Sequence, residues 1–392
     1  MRSPHFIIAL LLSLVFSGQI NGQELRISPS TRISLITCGP WQGELYSAFG
    51  HSAIRVYDPV TNTDWAFNYG TFDFNQPNFY LNFARGRNLY MLSVQDYPAF
   101  RDYYITHNRY IHEQVLDLDF HQSQRLFRYL WNNAQPENRQ YPYDYFYDNC
   151  STRPKDVLKT VFGDDLTFDY RWAKPGPTIR DLTDLYLKDQ PWGDLGIDIC
   201  LGLPMDKIAS AEEHFFLPDF LEVGLDHASI KQDSAMRPLV RERQIIHEAE
   251  PESSGLSVTH PWVVFGLLLL VVLVISVRDH RRGKLTAVVD HLLLTVTGSM
   301  GLLLTLLWTA TDHRAAAMNM NLLWAMPTNL LLPYLLKGKP LILFYRIMTV
   351  VTIALLLAWP VLPQELNLFL IPVILALLVR YILNASLRRL SV

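Results

Sequence analysis

At 392 residues the chain is longer than a typical single domain, and two units are expected. A formal net charge of −3, from 34 basic and 37 acidic residues, gives no reason to propose nucleic acid as a partner. Most of the Asp, Glu, Tyr and Pro precedes about residue 255 and long Leu/Val/Ile runs follow it, so the average composition describes neither half.

Residues 1–22 read as a signal peptide. Arg2 supplies the positive start, Phe6–Phe16 the apolar run, and Ser17, Gly18, Asn21 and Gly22 the small polar end. No A-x-A site follows, which leaves an uncleaved anchor as the alternative. Leu35-Ile36-Thr37-Cys38 resembles a lipoprotein box but lies too far beyond the apolar run to be processed with it. Residues 23–255 are thus expected as an exported domain. Its three cysteines, Cys38, Cys150 and Cys200, can form at most one disulfide in an oxidising compartment, so at least one thiol is free. Cys38 and Cys200 are expected to be buried or paired with each other rather than reactive.

Along this half, Arg26–Thr37 suggests a strand. Ala53-Ile54-Arg55-Val56 and Asp64–Tyr69 form the arms of a hairpin about the turn Asp58–Asn62. His51 opens the first arm, and Asn68 lies on the second where a cross-strand neighbour can sit. Ser52 falls on the other strand face and is set aside as a nucleophile. Pro77–Arg85 and His121–Asn133 have helical spacing. The aromatic stretch Tyr141–Tyr147 leads into Asp148-Asn149-Cys150-Ser151-Thr152-Arg153-Pro154 and a helix through Val161. Proline belongs in a helix's first turn, which makes Ser151 a better N-cap than Asn149 and leaves Cys150 at the helix entrance. There the helix dipole is expected to lower the thiol pKa, and a nearby imidazole could shuttle its proton. His107, His112 and Glu113 lack the H-E-x-x-H spacing and read as surface helix residues; no metal and no cofactor are expected. Residues 170–225 are mostly helical and are expected to cover or extend the core. Ser253–Ser257 reads as a linker.

Residues 256–392 read as a transmembrane domain of five helices: Trp262–Val277, Ala287–Trp308, Met318–Leu336, Leu341–Val361 and Leu366–Leu383. Arg278, Arg281, Arg282 and Lys284 follow the first, Lys337 and Lys339 the third, and Arg388 and Arg389 the fifth; the alternate loops carry little positive charge. The positive-inside rule then sets residues 23–255 outside the cytoplasm and the C-terminus within it, in a multi-pass membrane protein. The third segment carries Asn319, Asn321, Asn329 and Pro327. Its amides are expected to bond neighbouring helices, or to form an outer polar patch that receives a lipid headgroup or the catalytic domain.

Gly50-His51-Ser52-Ala53-Ile54-Arg55-Val56, then Asn68, then Asn149-Cys150 resembles the circularly permuted NlpC/P60 (papain-like) arrangement, which includes the lecithin:retinol acyltransferase-like enzymes. With Phe67-Asn68-Tyr69-Gly70, Asn138-Arg139, Tyr143-Asp144, Asp148–Pro154 and Phe216-Leu217-Pro218, the whole chain more specifically resembles the Lnb-type lipoprotein N-acyltransferase family. The resemblance implies an α+β, permuted NlpC/P60-like periplasmic domain followed by an all-α five-helix transmembrane domain. It also implies a bacterial enzyme whose partners are the membrane, a phospholipid acyl donor and a diacylglyceryl-modified lipoprotein acceptor. Cys150 would be the nucleophile, His51 the base, and Asn68 the support of the imidazole; the acyltransferase-like group often has His at that third position, so Asn68 is a departure. Competing readings are a cysteine amidase or endopeptidase on cell-wall peptides, a phospholipase, and a non-catalytic envelope assembly module.

Overall fold

Strand-forming alternation in the first half builds a seven-stranded antiparallel sheet in the computed structural model, which describes residues 26–250 and 258–388. The expected signal peptide, the Ser253–Ser257 linker and Arg389 lie outside the described residues. The strands are β1 (Arg32–Cys38), β2 (His51–Asp58), β3 (Thr63–Thr71), β4 (Leu89–Asp96), β5 (Ile111–Leu116), β6 (Gln140–Pro142), β7 (Leu166–Phe168), β8 (Ala228–Gln232), β9 (Ala235–Pro238) and β10 (Val240–His247). The large sheet has the order β10-β5-β1-β2-β3-β4-β6, and β7-β8-β9 form a small second one. Both faces of the large sheet are covered, and for that reason the central strand β1 is buried almost throughout. On one face Leu35, Ile54, Val56 and Phe67 pack against helices α3 (Phe120–Asn133) and α4 (Thr152–Phe162). On the other, Ile36, Cys38, Ala53 and Ala66 pack against Phe100 and Tyr104 of α2 (Tyr97–Thr106), which follows the short α1 (Phe79–Arg85).

Residues 170–225, expected to cover or extend this core, do so through Phe215, Leu221 and Leu225, and they also build the joint between the halves. They contain α5 (Ile179–Asp184), α6 (Pro191–Cys200) and α7 (Pro218–Asp226). Leu195 and Ile199 of α6 belong to the apolar core of the membrane half. The carbonyls at the end of α6, which no helical N–H can reach, accept bonds from membrane-half amides: Asn319 Nδ2 to Ile199 O at 2.7 Å, Asn321 Nδ2 to Asp198 O at 3.3 Å and Gln364 Nε2 to Leu201 O at 3.0 Å. The fully buried Arg180 stiffens this turn by reaching Asp198 at 2.7 Å and Asp206 at 3.0 Å.

Four helical segments among the described residues are long and apolar enough to cross a membrane: α8 (Pro261–Arg282), α9 (Ala287–Ala310), α10 (Gly338–Ala358) with the turn that follows it to Val361, and α11 (Ile371–Leu387) with the turn that precedes it from Leu368. The third expected helix, Met318–Leu336, does not form. It consists of 3-10 turns Met320–Leu323 and Pro327–Leu330 and a single helical turn Leu332–Leu335. Two causes act together. Asn319 turns its side chain back onto the Asn321 N–H while reaching Ile199, and Pro327 and Pro333 remove two backbone donors. The segment nonetheless runs antiparallel along nearly the whole of α9. Ala325 lies against Gly301, Leu330 against Gly298, and Tyr334 Oη bonds Thr295 at 2.7 Å. Irregular backbone at such depth survives only when enclosed by protein, and Asn321, Ala325 and Asn329 are completely buried.

At the end of the bundle remote from the sheet, Arg380 of α11 holds Asp290 of α9 at 2.6 Å and Asp279 of α8 at 3.0 Å, all buried. At the near end, Glu365 N–H reaches Asp206, and Asn367 reaches Asp194 and Asp198.

The close approach at Gly301 is testable, since a Cβ there would lie 1.8 Å from the Ala325 carbonyl oxygen whereas one at Gly266 meets nothing within 4 Å. Gly301→Ala is expected to lower the thermal midpoint of the detergent-solubilised full chain by several degrees, and Gly266→Ala to leave it in place or raise it slightly.

Candidate active site

The order of strands brings His51, Asn68 and the turn before α4 to one end of the sheet. His51 begins β2, paired with Cys38 of β1. The register of β2 with β3 sets Ile54 opposite Phe67, so Asn68 lies diagonally across from His51 rather than directly opposite. Its Oδ1 is 2.5 Å from His51 Nε2. An amide oxygen only accepts, so the ring carries its proton on Nε2 and presents Nδ1 as a free base. The ring is further fixed by Tyr104, stacked at 6.2 Å, and by Phe100.

Cys150 occupies the turn between β6 and α4. Ser151 stands at the N-cap position but makes no side-chain cap. The cap comes from Asn149, the residue the proline rule had ranked second: its Oδ1 accepts from Ser151 N at 2.8 Å and Thr152 N at 2.9 Å. The Asn149 amide donates to Tyr145 O and Phe216 O, both at 2.8 Å, and so ties the thiol-bearing turn to the segment before α7. Gly70 packs directly beneath Cys150; it has φ +85°, and a Cβ on it would lie 3.1 Å from the Cys150 Cβ. The backbone N–H groups of Ser52, next to His51, and of Cys150 itself favour the thiolate. Two amides so near the sulfur are candidate donors to an oxyanion.

The electrostatics reverse the expectation of a lowered thiol pKa. Burial pushes Cys150 up to about 11, outweighing the two backbone amides and the Arg109 guanidinium that pull it down. Burial likewise takes His51 down to about 4, against the Asn68 hydrogen bond that raises it. At neutral pH the resting groups are therefore a thiol and a neutral imidazole. Arg109 was not foreseen from the sequence. It is buried, bonded through Nε to Gly39 O at 2.6 Å, and its guanidinium lies 4.5 Å from the Tyr104 ring centroid. A lone arginine in a loop carries no spacing signal, and only the fold brings its charge to the site.

A cleft of about 390 Å³ opens at Asn68, lined also by Gln95, Ala99, Phe100, Tyr103 and Tyr104. The remaining candidates fall elsewhere. Cys38 and Cys200 are both unpaired, Cys38 in the sheet core and Cys200 at the end of α6. Ser52 turns away from His51, its Oγ 3.4 Å from that of Ser151. Arg153 pairs with Asp148 and covers the Tyr141 ring. His112 and Glu113 lie on β5 rather than on a surface helix, with Glu113 buried; His112 bonds Glu222 and Glu113 bonds Arg55. Asp184, Asp194 and Asp198 bring carboxylates within 4.8 Å of one another at the joint, where burial and mutual repulsion raise the pKa of Asp184 and Asp194.

Two outcomes are expected. Alkylation of Cys150 by iodoacetamide, in a chain with Cys38 and Cys200 replaced by Ser, should rise tenfold per pH unit through the neutral range without the plateau a preformed ion pair would give. Asn149→Ala, which strips two capped N–H groups, should cost about 1–3 kcal/mol of stability in urea titrations of the folded chain.

Two family models match the chain: the Lnb N-terminal periplasmic domain over residues 25–184 and the Lnb transmembrane domain over residues 252–390. No curated protein and no solved structure matches it. A periplasmic α+β domain joined to a helical membrane domain, matched by both halves of one family, makes this chain a member of the Lnb family.

Proposed function

We propose that the protein is a lipoprotein N-acyltransferase working through a Cys150 thioester, on a permuted NlpC/P60-like (papain-like) core. The observation that carries this reading is the His51–Asn68 hydrogen bond on the strands beside Cys150, whose thiolate the backbone amides of Ser52, the residue after His51, and of Cys150 itself favour. The order of a histidine strand, an Asn strand and then an Asn-Cys helix supports the permuted arrangement.

His51 Nδ1 takes the Cys150 proton as sulfur attacks the ester carbonyl of a phospholipid, and the negative charge on the carbonyl oxygen meets the two backbone amides. The C–O bond then breaks, and His51 returns its proton to the departing lysophospholipid alcohol. In the second half, the α-amino group of a diacylglyceryl-modified N-terminal cysteine attacks the thioester. His51 accepts the amine proton, the C–S bond breaks, and the proton goes back to the thiolate. An amide replaces a thioester, so the transfer runs forward. Asn68 holds the ring throughout and never exchanges a proton. No step calls on a metal or a cofactor.

The same reading sets the sheet on the periplasmic side of a bacterial inner membrane and the C-terminus in the cytoplasm. Arg278, Arg281, Arg282, Lys284, Lys337 and Lys339 flank the bundle end that holds Arg380, remote from the sheet, as the positive-inside rule requires.

Mass spectrometry of one lipoprotein's N-terminal peptide, from cells with and without this protein, tests the proposal. Loss of a single amide-linked acyl group, unrescued by Cys150→Ala or His51→Ala, is expected. An unchanged peptide in cells holding no second such enzyme would direct attention to cell-wall peptides or phospholipid hydrolysis.

A further inference from the structure

The edge of the sheet next to Cys150 carries an apolar surface that no part of the described chain covers. In α1 and the loop before it, Phe74 is 62% exposed, Tyr80 79% and Phe83 58%. Isolated exposed apolar residues need no explanation, but three aromatic rings on one short stretch do. The stretch has a fixed height. Asp312 N–H bonds Arg85 O at 2.9 Å, His313 Nε2 lies 3.1 Å from Phe83 O, and Arg87 pairs with Asp312 at 2.6 Å. Gly86, at φ +70°, packs so closely on Asp312 and His313 that a Cβ would come within 3.2 Å of the His313 backbone nitrogen. Those two residues follow directly on the end of the α9 span at Ala310. Trp262, Trp308 and Trp359, at the sheet-facing ends of α8, α9 and α10, mark the level of the bilayer interface. The exposed rings of α1 therefore stand where lipid headgroups meet acyl chains.

From there an aromatic path leads inward. Phe74 contacts Phe72 at 4.9 Å, Phe72 contacts Tyr90 at 5.3 Å, and Tyr90 stacks on Tyr143 at 4.0 Å. Tyr143 and Cys150 lie against the same Gly70.

We propose that residues 72–85 are a membrane-embedded entry element: their rings dip into the outer leaflet and pass the ester of a bilayer phospholipid along the aromatic path to Cys150. The function of this path rests on the acyl-transfer reading; the embedding does not. In the full chain, reconstituted in vesicles of phosphatidylethanolamine and phosphatidylglycerol, Tyr80, Phe83 and Val60 are each replaced in turn by the photoreactive benzoyl-phenylalanine. Val60 is 69% exposed on the β2–β3 turn and serves as the apolar control away from the membrane joint. Phospholipid adducts are expected at positions 80 and 83 and not at 60, equally in a Cys150→Ala chain, so a failed acyl-transfer reading leaves this result readable. Adduct yields at 80 and 83 no higher than at 60 would overturn the proposal. A second readout is thioester formation from vesicle phospholipid: the triple change Phe74→Ser, Tyr80→Ser, Phe83→Ser should slow it about tenfold or more, from the lost burial of three rings. Val60→Ser should leave it unchanged, and an undiminished rate in the triple variant would remove these residues from the entry path.

Discussion

The rest of the molecule depends on one set of hydrogen bonds, those between the end of α6 and the amides of Asn319, Asn321 and Gln364. A helix terminus leaves carbonyls without partners, and burying them unpaired costs about 1–3 kcal/mol each. Here the membrane half supplies the missing donors, while Leu195 and Ile199 beside them enter its apolar core. Each half thus completes the other's unmet chemistry. The consequence is positional: the sheet cannot rotate freely above the bilayer, and the Cys150 end of it keeps a constant height over the lipid.

Constant height suits a thiol that rests protonated. Desolvation dominates at both Cys150 and His51, pushing their pKa values apart rather than together. A thiolate maintained permanently in an oxidising compartment would be open to oxidation and to stray electrophiles. Under the proposed mechanism a neutral pair would react only once a substrate carbonyl took up the developing charge beside the Ser52 and Cys150 amides. Burial is thus a form of selectivity here, and the neighbouring Arg109 charge moderates it without cancelling it.

The hairpin bearing His51 and Asn68 was readable in the sequence because strand alternation and turn residues are local, as was the turn that delivers Cys150. Three features were not readable, each because a distant partner decided it. Asn149 displaced Ser151 as the cap because Phe216 O, 67 residues away, fixes its amide and leaves Oδ1 aimed at the helix. The dipole argument for Cys150 assumed solvent, whereas the rings of Tyr104, Tyr143 and Tyr145 and the sheet around it exclude much of the water. Hydropathy counted five helices because composition averaged over Met318–Leu336 is apolar; it could not show that Asn319 and Asn321 would be drawn to α6 and break the helix.

That broken crossing bears on how the two halves can be joined at all. A regular helix has no spare backbone or side-chain geometry with which to reach out of the bilayer and clasp another domain. By leaving the helix between Asn319 and Leu336, the chain brings the side-chain amides of Asn319 and Asn321 onto α6 while Gly298 and Gly301 of α9 let the irregular backbone sit close enough to stay enclosed. The cost of unwinding inside the membrane is offset only if those amides stay engaged, so detachment of the sheet from the bundle would also destabilise the crossing. Joint and crossing therefore stand or fall together, and rigidity at the membrane surface follows from irregularity within it.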